Sequence, residues 1–218
     1  MILTRRRALA ALPLAGASLF GTPLVLSGSA WAQKAPAAAD FAPASPLGDI
    51  VLGSDKAPVT IIEFASMTCS HCANFATVTF PKLKTAFIDT GKVRYIFREF
   101  PLDDLAAATA VLARCAGKAD GTRTFAMIET LFASQKDWVV QQPLQPLKNI
   151  AKQVGIGEQA FEACFADKAL LEGVKANQQQ GIKLGVNSTP TFFINGTMHR
   201  GDLGFEEIEK VLKPMLGE

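Results

Sequence analysis

Chemistry-bearing side chains are scarce in this chain. Its 218 residues hold one tyrosine, two tryptophans, two histidines and four cysteines. Two histidines and four cysteines leave little for a metal centre. A zinc site begun at Cys69 and Cys72 would have to draw on Cys115, Cys164, His71 or His199, and the two far cysteines form no second closely spaced pair. A haem attachment needs histidine directly after the second cysteine, and that position is Ala73. Charged residues make up only 19% of the chain, in no long run of one sign. No internal repeat is evident. The longest uncharged stretch lies at the N-terminus and is broken by Pro13, Pro23 and three glycines.

That stretch reads as a targeting segment over residues 1–32. Arg5, Arg6 and Arg7 are followed by an Ala- and Leu-rich run ending in Ala30-Trp31-Ala32, a small-x-small pattern that places cleavage near Ala32-Gln33. The run is also long enough for an uncleaved membrane anchor, but the proline and glycine interruptions and the cleavage pattern favour removal. Thr4-Arg5-Arg6-Arg7 is similar to a twin-arginine signal, with Ala8 and Ala10 against it, so the route is left open. Export to the periplasm is the expectation. Without the three arginines, the 22 basic residues fall just below the 20 acidic ones, a balance that gives no electrostatic case for nucleic acid.

The most informative stretch is Cys69-Ser70-His71-Cys72. It follows Val59-Thr60-Ile61-Ile62-Glu63-Phe64-Ala65, an apolar, β-branched run that predicts a buried strand. It precedes Phe75, Val78, Phe80, Leu83 and Phe87, whose spacing predicts a helix over roughly 71–89. Cys69 then sits at a helix N-terminus, where free N–H groups and the helix dipole favour a thiolate. A thiolate one turn from a second thiol can form, donate or accept a disulfide. Redox chemistry is the first reading.

Gln33 to Gly48, rich in Ala and Pro, reads as an extended leader. Short-strand, strand, helix and strand patterns follow at 49–52, 59–65, 71–89 and 93–97, and the last three imply parallel strands with a right-handed crossover. From Asp104 to Lys183 the patterns are helical: Leu105 to Cys115, Thr124 to Ser134, Leu144 to Val154, Gln159 to Ala166 and Leu170 to Leu184. Thr191 to Ile194, Asn195-Gly196 and Thr197 to Arg200 read as a hairpin with His199 on an exposed strand, and Phe205 to Leu216 as a last helix. Cys115 and Cys164 each lie on an apolar helical face. They read either as two unpaired core thiols or, in an oxidising compartment, as a bonded pair.

Strand, Cys-x-x-Cys, helix, strand, long helical insert, then Thr-Pro and a hairpin resembles the thioredoxin superfamily, and within it the DsbA-like thiol:disulfide oxidoreductases. The residues that carry the likeness are Glu63-Phe64, Cys69-Ser70-His71-Cys72, and Gly185 to Gly196 with Thr189-Pro190 inside it. The resemblance implies an α/β thioredoxin fold (βαβ plus ββα), split into residues 49–103 and 185–218 by a helical insertion at 104–184. It implies Cys69 as nucleophile, Cys72 as buried partner and His71 as a thiolate-stabilising neighbour. Glu63 becomes a buried proton relay, and Thr189 and a cis Pro190 face the sulfurs. Cys115 and Cys164 become a structural disulfide. It implies no cofactor and no metal, reduced secreted proteins as substrates, a DsbB-like membrane quinone reductase as recycling partner, and a monomer. The expected activity is disulfide formation, with reductase or isomerase, or a thiol chaperone for metal-site or cytochrome assembly, as alternatives. His71 points to the oxidising end of the family, whereas Thr189 also occurs in reducing relatives.

Overall fold

The structure, a computed structural model, describes residues 43–118 and 120–218. The targeting segment at 1–32 lies outside the described residues. The first element is a short strand, β1 (Ile50–Leu52), followed by β2 (Val59–Ala65) and a long helix α1 over residues 70–88. Next come β3 (Val93–Glu99) and six helices: α2 (Asp104–Gly117), α3 (Gly121–Ala133), α4 (Gln135–Trp138), α5 (Leu144–Gln153), α6 (Glu158–Ala166) and α7 (Lys168–Lys183). The chain closes with β4 (Thr191–Ile194), β5 (Thr197–Arg200) and α8 (Phe205–Leu216).

The five strands form one sheet in the order β1-β3-β2-β4-β5. β2 is parallel to β3 and antiparallel to β4, and β1 and β5 are antiparallel edge strands. Every residue of β2 is buried, as a central strand covered on both faces requires. Alternate side chains enter different cores. Ile62 and Phe64 join Ile96, Phe100 and Phe193, while Val59, Ile61 and Ala65 join the larger cluster. The six helices between β3 and β4 pack into that larger core. Phe125 of α3 lies 5.0 Å from Phe80 of α1, 6.0 Å from Tyr95 and 6.4 Å from Phe97, centroid to centroid.

Local chemistry explains the element ends. Asp103, Asp120 and Asp167 cap α2, α3 and α7, each carboxylate accepting backbone N–H groups of the first turn. Asn195 and Gly196 both have positive φ, 44° and 86°, as a tight two-residue hairpin turn demands. α1 is not uniform: it widens into π turns at Phe75–Thr79 and Lys84–Ile88. The first lies just ahead of Pro81, which has no N–H to give the α ladder.

Two expectations need correction. Residues 45–48 are not extended. They make a turn closed by Gly48 N–H donating to the Ser45 carbonyl at 2.9 Å, with Gly48 at φ 76°. Its cause is distant in sequence: Arg114 of α2 donates to the carbonyls of Leu47 and Gly48 at 3.1 and 2.9 Å while its other nitrogens hold buried Glu99. Asn177 donates to the same Glu99, and Arg98 pairs with Asp49. His199 is half-buried rather than exposed, because it lies opposite Phe192 in the hairpin register. α4, absent from the periodicity, is a four-residue turn held by Trp138, whose indole N–H donates to the Leu131 carbonyl at 2.8 Å.

Candidate active site

β2 ends at Ala65, and four residues later Cys69 caps the N-terminus of α1: its backbone is extended (φ −76°, ψ 121°) and its carbonyl accepts from Ala73 N–H at 3.1 Å. The loop between is pinned on several sides. Phe100 N–H donates to the Ala65 carbonyl at 2.8 Å, and Thr68 Oγ1 donates to Asp103 at 2.6 Å. Gln135 of α4 donates its side-chain amide to the carbonyls of Met67 and Cys69 at 2.8 and 3.0 Å. Cys69 therefore has a fixed backbone and a partly exposed sulfur.

The two sulfurs are unequal. The Cys69 thiol is drawn down from 9.0 to about 5. A hydrogen bond from Cys72 is the main cause, opposed by burial and helped by the Thr189 side chain and the backbone N–H groups of Cys72 and His71. Cys72, one turn into the helix, is buried, and its thiol is pushed far up by desolvation, by its bond to Cys69 and by the charge of Glu63. Cys69 is thus a thiolate at neutral pH and Cys72 a thiol.

Glu63 lies on the β2 face that carries the larger core and is only 2% exposed. Its carboxyl is pushed up from 4.5 to about 8 by desolvation, which outweighs a hydrogen bond from Tyr95; the charges of Cys69 and Asp202 raise it further. The Tyr95 hydroxyl donates to Glu63 Oε2. In the β2–β3 register Tyr95 pairs with Ile61, two residues from Glu63 and on the same face. Burial and the neighbouring carboxylate hold the Tyr95 phenol well above its usual range.

The β4 end completes the site. The Thr189–Pro190 peptide is cis, and the Thr189 carbonyl lies 3.4 Å from Cys69 Sγ. The Thr189 hydroxyl is buried with no other partner, free to turn its O–H to that sulfur. His71 is exposed, and its backbone N–H helps to lower the Cys69 thiol. The structure thus gathers Cys69, Cys72, Glu63, Thr189 and Pro190, with His71 at the rim. Cys115 and Cys164 are bonded to each other, Cα to Cα 5.7 Å, and tie α2 to α6 outside this constellation. Among the described residues no three of His, Cys, Asp and Glu gather as a metal cradle.

Sequence reading missed Tyr95 and Gln135. Tyr95 had one available signal: as the sole tyrosine, on a strand paired with that of Glu63, its hydroxyl needs a buried partner. Gln135 had none, since its partners are backbone carbonyls of a distant loop.

The family description Thioredoxin matches residues 45–214. The solved structure of Wolbachia pipientis α-DsbA1 superposes with a TM-score of 0.72 at 33% identity, over 78% of this chain and 91% of that one. Bacillus subtilis BdbD, in its oxidised form, gives 0.70 at 25% identity over 78% and 94%. A Rickettsia conorii chain carrying the name protein-disulfide oxidoreductase is 31% identical over 173 residues, covering 78% of this chain and 61% of its own length. The matched family, these neighbours and a helix-capping Cys69 beside a buried Cys72 agree. The chain belongs to the DsbA-like thiol:disulfide oxidoreductases of the thioredoxin family.

Proposed function

We propose that this protein is an exported dithiol oxidase that introduces disulfide bonds into secreted proteins in the periplasm, through the Cys69–Cys72 couple. The observation that carries the reading is the inequality of the two sulfurs. A substrate thiolate attacks Cys69 Sγ in the enzyme disulfide; the Cys69–Cys72 bond breaks, and Cys72 leaves and takes up a proton. A second substrate thiolate then attacks its own sulfur in the mixed disulfide, and Cys69 leaves as the thiolate that its surroundings stabilise.

Holding Cys69 near 5 rather than 9.0 stabilises the reduced enzyme at pH 7 by about two pKa units. That is on the order of 60 mV towards a more oxidising disulfide, less what solvent screens at a partly exposed sulfur. The Cys72 thiol stays protonated and buried, so Cys69 alone faces substrate. The Thr189 carbonyl beside it offers an extended substrate segment a backbone partner.

The same reading divides the chain into a signal peptide at 1–32, a leader at 33–48, a thioredoxin-like unit at 49–103 and 185–218, and a helical insertion at 104–184. The enzyme acts as a monomer and is reoxidised by a DsbB-like membrane quinone reductase. The deciding experiment is the reduction potential of the Cys69–Cys72 couple in glutathione buffers, paired with oxidation of a reduced, unfolded protein. A potential well above about −200 mV with substrate oxidation is expected; one near the roughly −270 mV of thioredoxin would move the assignment to a reductase or isomerase.

A further inference from the structure

The exchange just described leaves a proton to account for. When the Cys69–Cys72 bond breaks, the electron pair stays on Cys72 Sγ, in a place where a thiolate is poorly tolerated. Glu63 is the nearby acid whose charge Cys72 senses. Yet Glu63 and Tyr95 are 2% and 1% exposed, so a proton given by Glu63 has to be replaced through the protein.

A small cavity lies against this pair and is lined at another point by Glu129 of α3. Its walls are apolar (Phe80, Phe97, Phe125, Ile128 and Phe132 among them), and its only polar lining groups are Glu63, Tyr95 and Glu129. It has room for about one water molecule. Glu129 stands on α3 and is exposed. Its carboxyl is raised by partial burial and lowered by Lys84, and its charge reaches the Tyr95 phenol. The other groups facing Glu63 are Cys69 and Cys72 at the start of α1 and Asp202 ahead of α8.

We propose that Tyr95 and Glu129 form the route by which the proton passing between Cys72 and Glu63 is exchanged with solvent. Tyr95 donates to Glu63 Oε2, which leaves Oε1 to carry the carboxyl proton. That proton goes to Cys72 Sγ as the disulfide bond breaks. The protonated carboxyl is restored when Tyr95 passes its hydroxyl proton to Glu63 and regains one from the Glu129 end of the cavity. No net charge remains inside. Reoxidation runs the same transfers backwards. Tyr95 and Glu129 are positioning residues acting through Glu63.

The inference rests on the proposed exchange at Cys69–Cys72 but not on its direction, so its test uses a small dithiol. Single-turnover reduction of the oxidised protein by dithiothreitol, corrected for the dithiol's own ionisation, is followed from pH 6 to 9 in H₂O and D₂O. Glu129→Gln should slow the step about tenfold at pH 7, raise its solvent isotope effect and keep the parental inflection; Glu129→Asp should recover most of the rate. Tyr95→Phe, which keeps the packing, should move the inflection up by about one unit, because the lost hydrogen bond favoured the carboxylate. A Glu129→Gln protein with the parental rate and isotope effect would overturn the route, as would Glu129→Asp no faster than Glu129→Gln. A protein that reacts with dithiothreitol yet oxidises no polypeptide would count against the proposed function alone, with the proton route still judged on these readouts.

Discussion

The side-chain amide of Gln135 reaches from α4 to the carbonyl of Cys69 at 3.0 Å and to that of Met67 at 2.8 Å. One side chain on a four-residue helix thereby fixes the two carbonyls that flank the turn into α1, and with them the direction of the Cys69 sulfur. The reactive thiolate is held from two distant parts of the chain, by Gln135 on one side and Thr189 on the other.

With the backbone fixed, reactivity divides by pKa and exposure. In the reduced protein at pH 7, iodoacetamide should alkylate Cys69 and leave Cys72 essentially untouched. Cys72→Ser should accumulate mixed disulfides through Cys69, and Cys69→Ser should abolish thiol oxidation. Peptide mapping by mass spectrometry reads all three. Faster labelling at Cys72 would reverse the roles assigned to the two sulfurs.

The hairpin, the strand around Glu63 and the helix after Cys69 were legible because their signals are local. Asn195-Gly196 states its turn in two residues, and an acidic residue inside Ile61-Ile62-Glu63-Phe64 announces its own burial. Tyr95 and Gln135 were illegible for the opposite reason: each acts through a partner set by strand register or by packing between helices, not by spacing along the chain. The turn at 45–48 was misread because it is imposed by Arg114, far away in sequence.

The pH dependence of stability follows from two opposed groups in the reduced protein. Cys69 is depressed, so its contribution is fully present above its unfolded value of 9.0 and is lost as pH falls through about 5. Glu63 is raised, so its cost begins as pH climbs past its unfolded 4.5 and is complete above about 8. Between pH 5 and 8 the two slopes oppose each other. Each has a ceiling of about 1.4 kcal/mol per pH unit, the Cys69 slope being reduced by solvent screening. Glu63→Gln should uncover a stability that rises with pH across this window, and Cys69→Ser one that falls. Denaturant titrations at pH 5, 6.5 and 8 would show it; a flat profile for reduced Glu63→Gln would contradict the assignment.

Thr189→Val removes the buried hydroxyl beside Cys69 Sγ and nearly keeps the shape. The thiolate loses a donor, so the Cys69 pKa should rise by about one unit and the disulfide should become less oxidising by about 30 mV. Ultraviolet titration of the thiolate and glutathione equilibration measure the two effects. If both stayed at parental values, Thr189 would have no part in tuning the sulfur.

The Cys115–Cys164 bond closes a loop with a sequence separation of 49, for which chain entropy gives about 4 kcal/mol before any native-state effects. Replacing both cysteines by serine should lower unfolding stability by up to that amount while the reduction potential of Cys69–Cys72 stays put. A folded double variant with a shifted potential would place this bond in the redox circuit.

The anchoring of residues 45–49 bears on where this protein can safely be shortened. Arg98 is fully buried, and Asp49 is the carboxylate paired with it. The Leu47 side chain fills the space over Gly173 of α7, where even a methyl group would collide with it. A chain trimmed to begin at Ile50 would leave Arg98 without its counter-charge, Arg114 without two acceptors and an uncovered notch on α7. Losing one partner of a buried ion pair alone costs about 3–5 kcal/mol. Expression tags and protease sites therefore belong upstream of Ser45, and processing that removed Leu47 to Asp49 would weaken the molecule at the edge of its sheet.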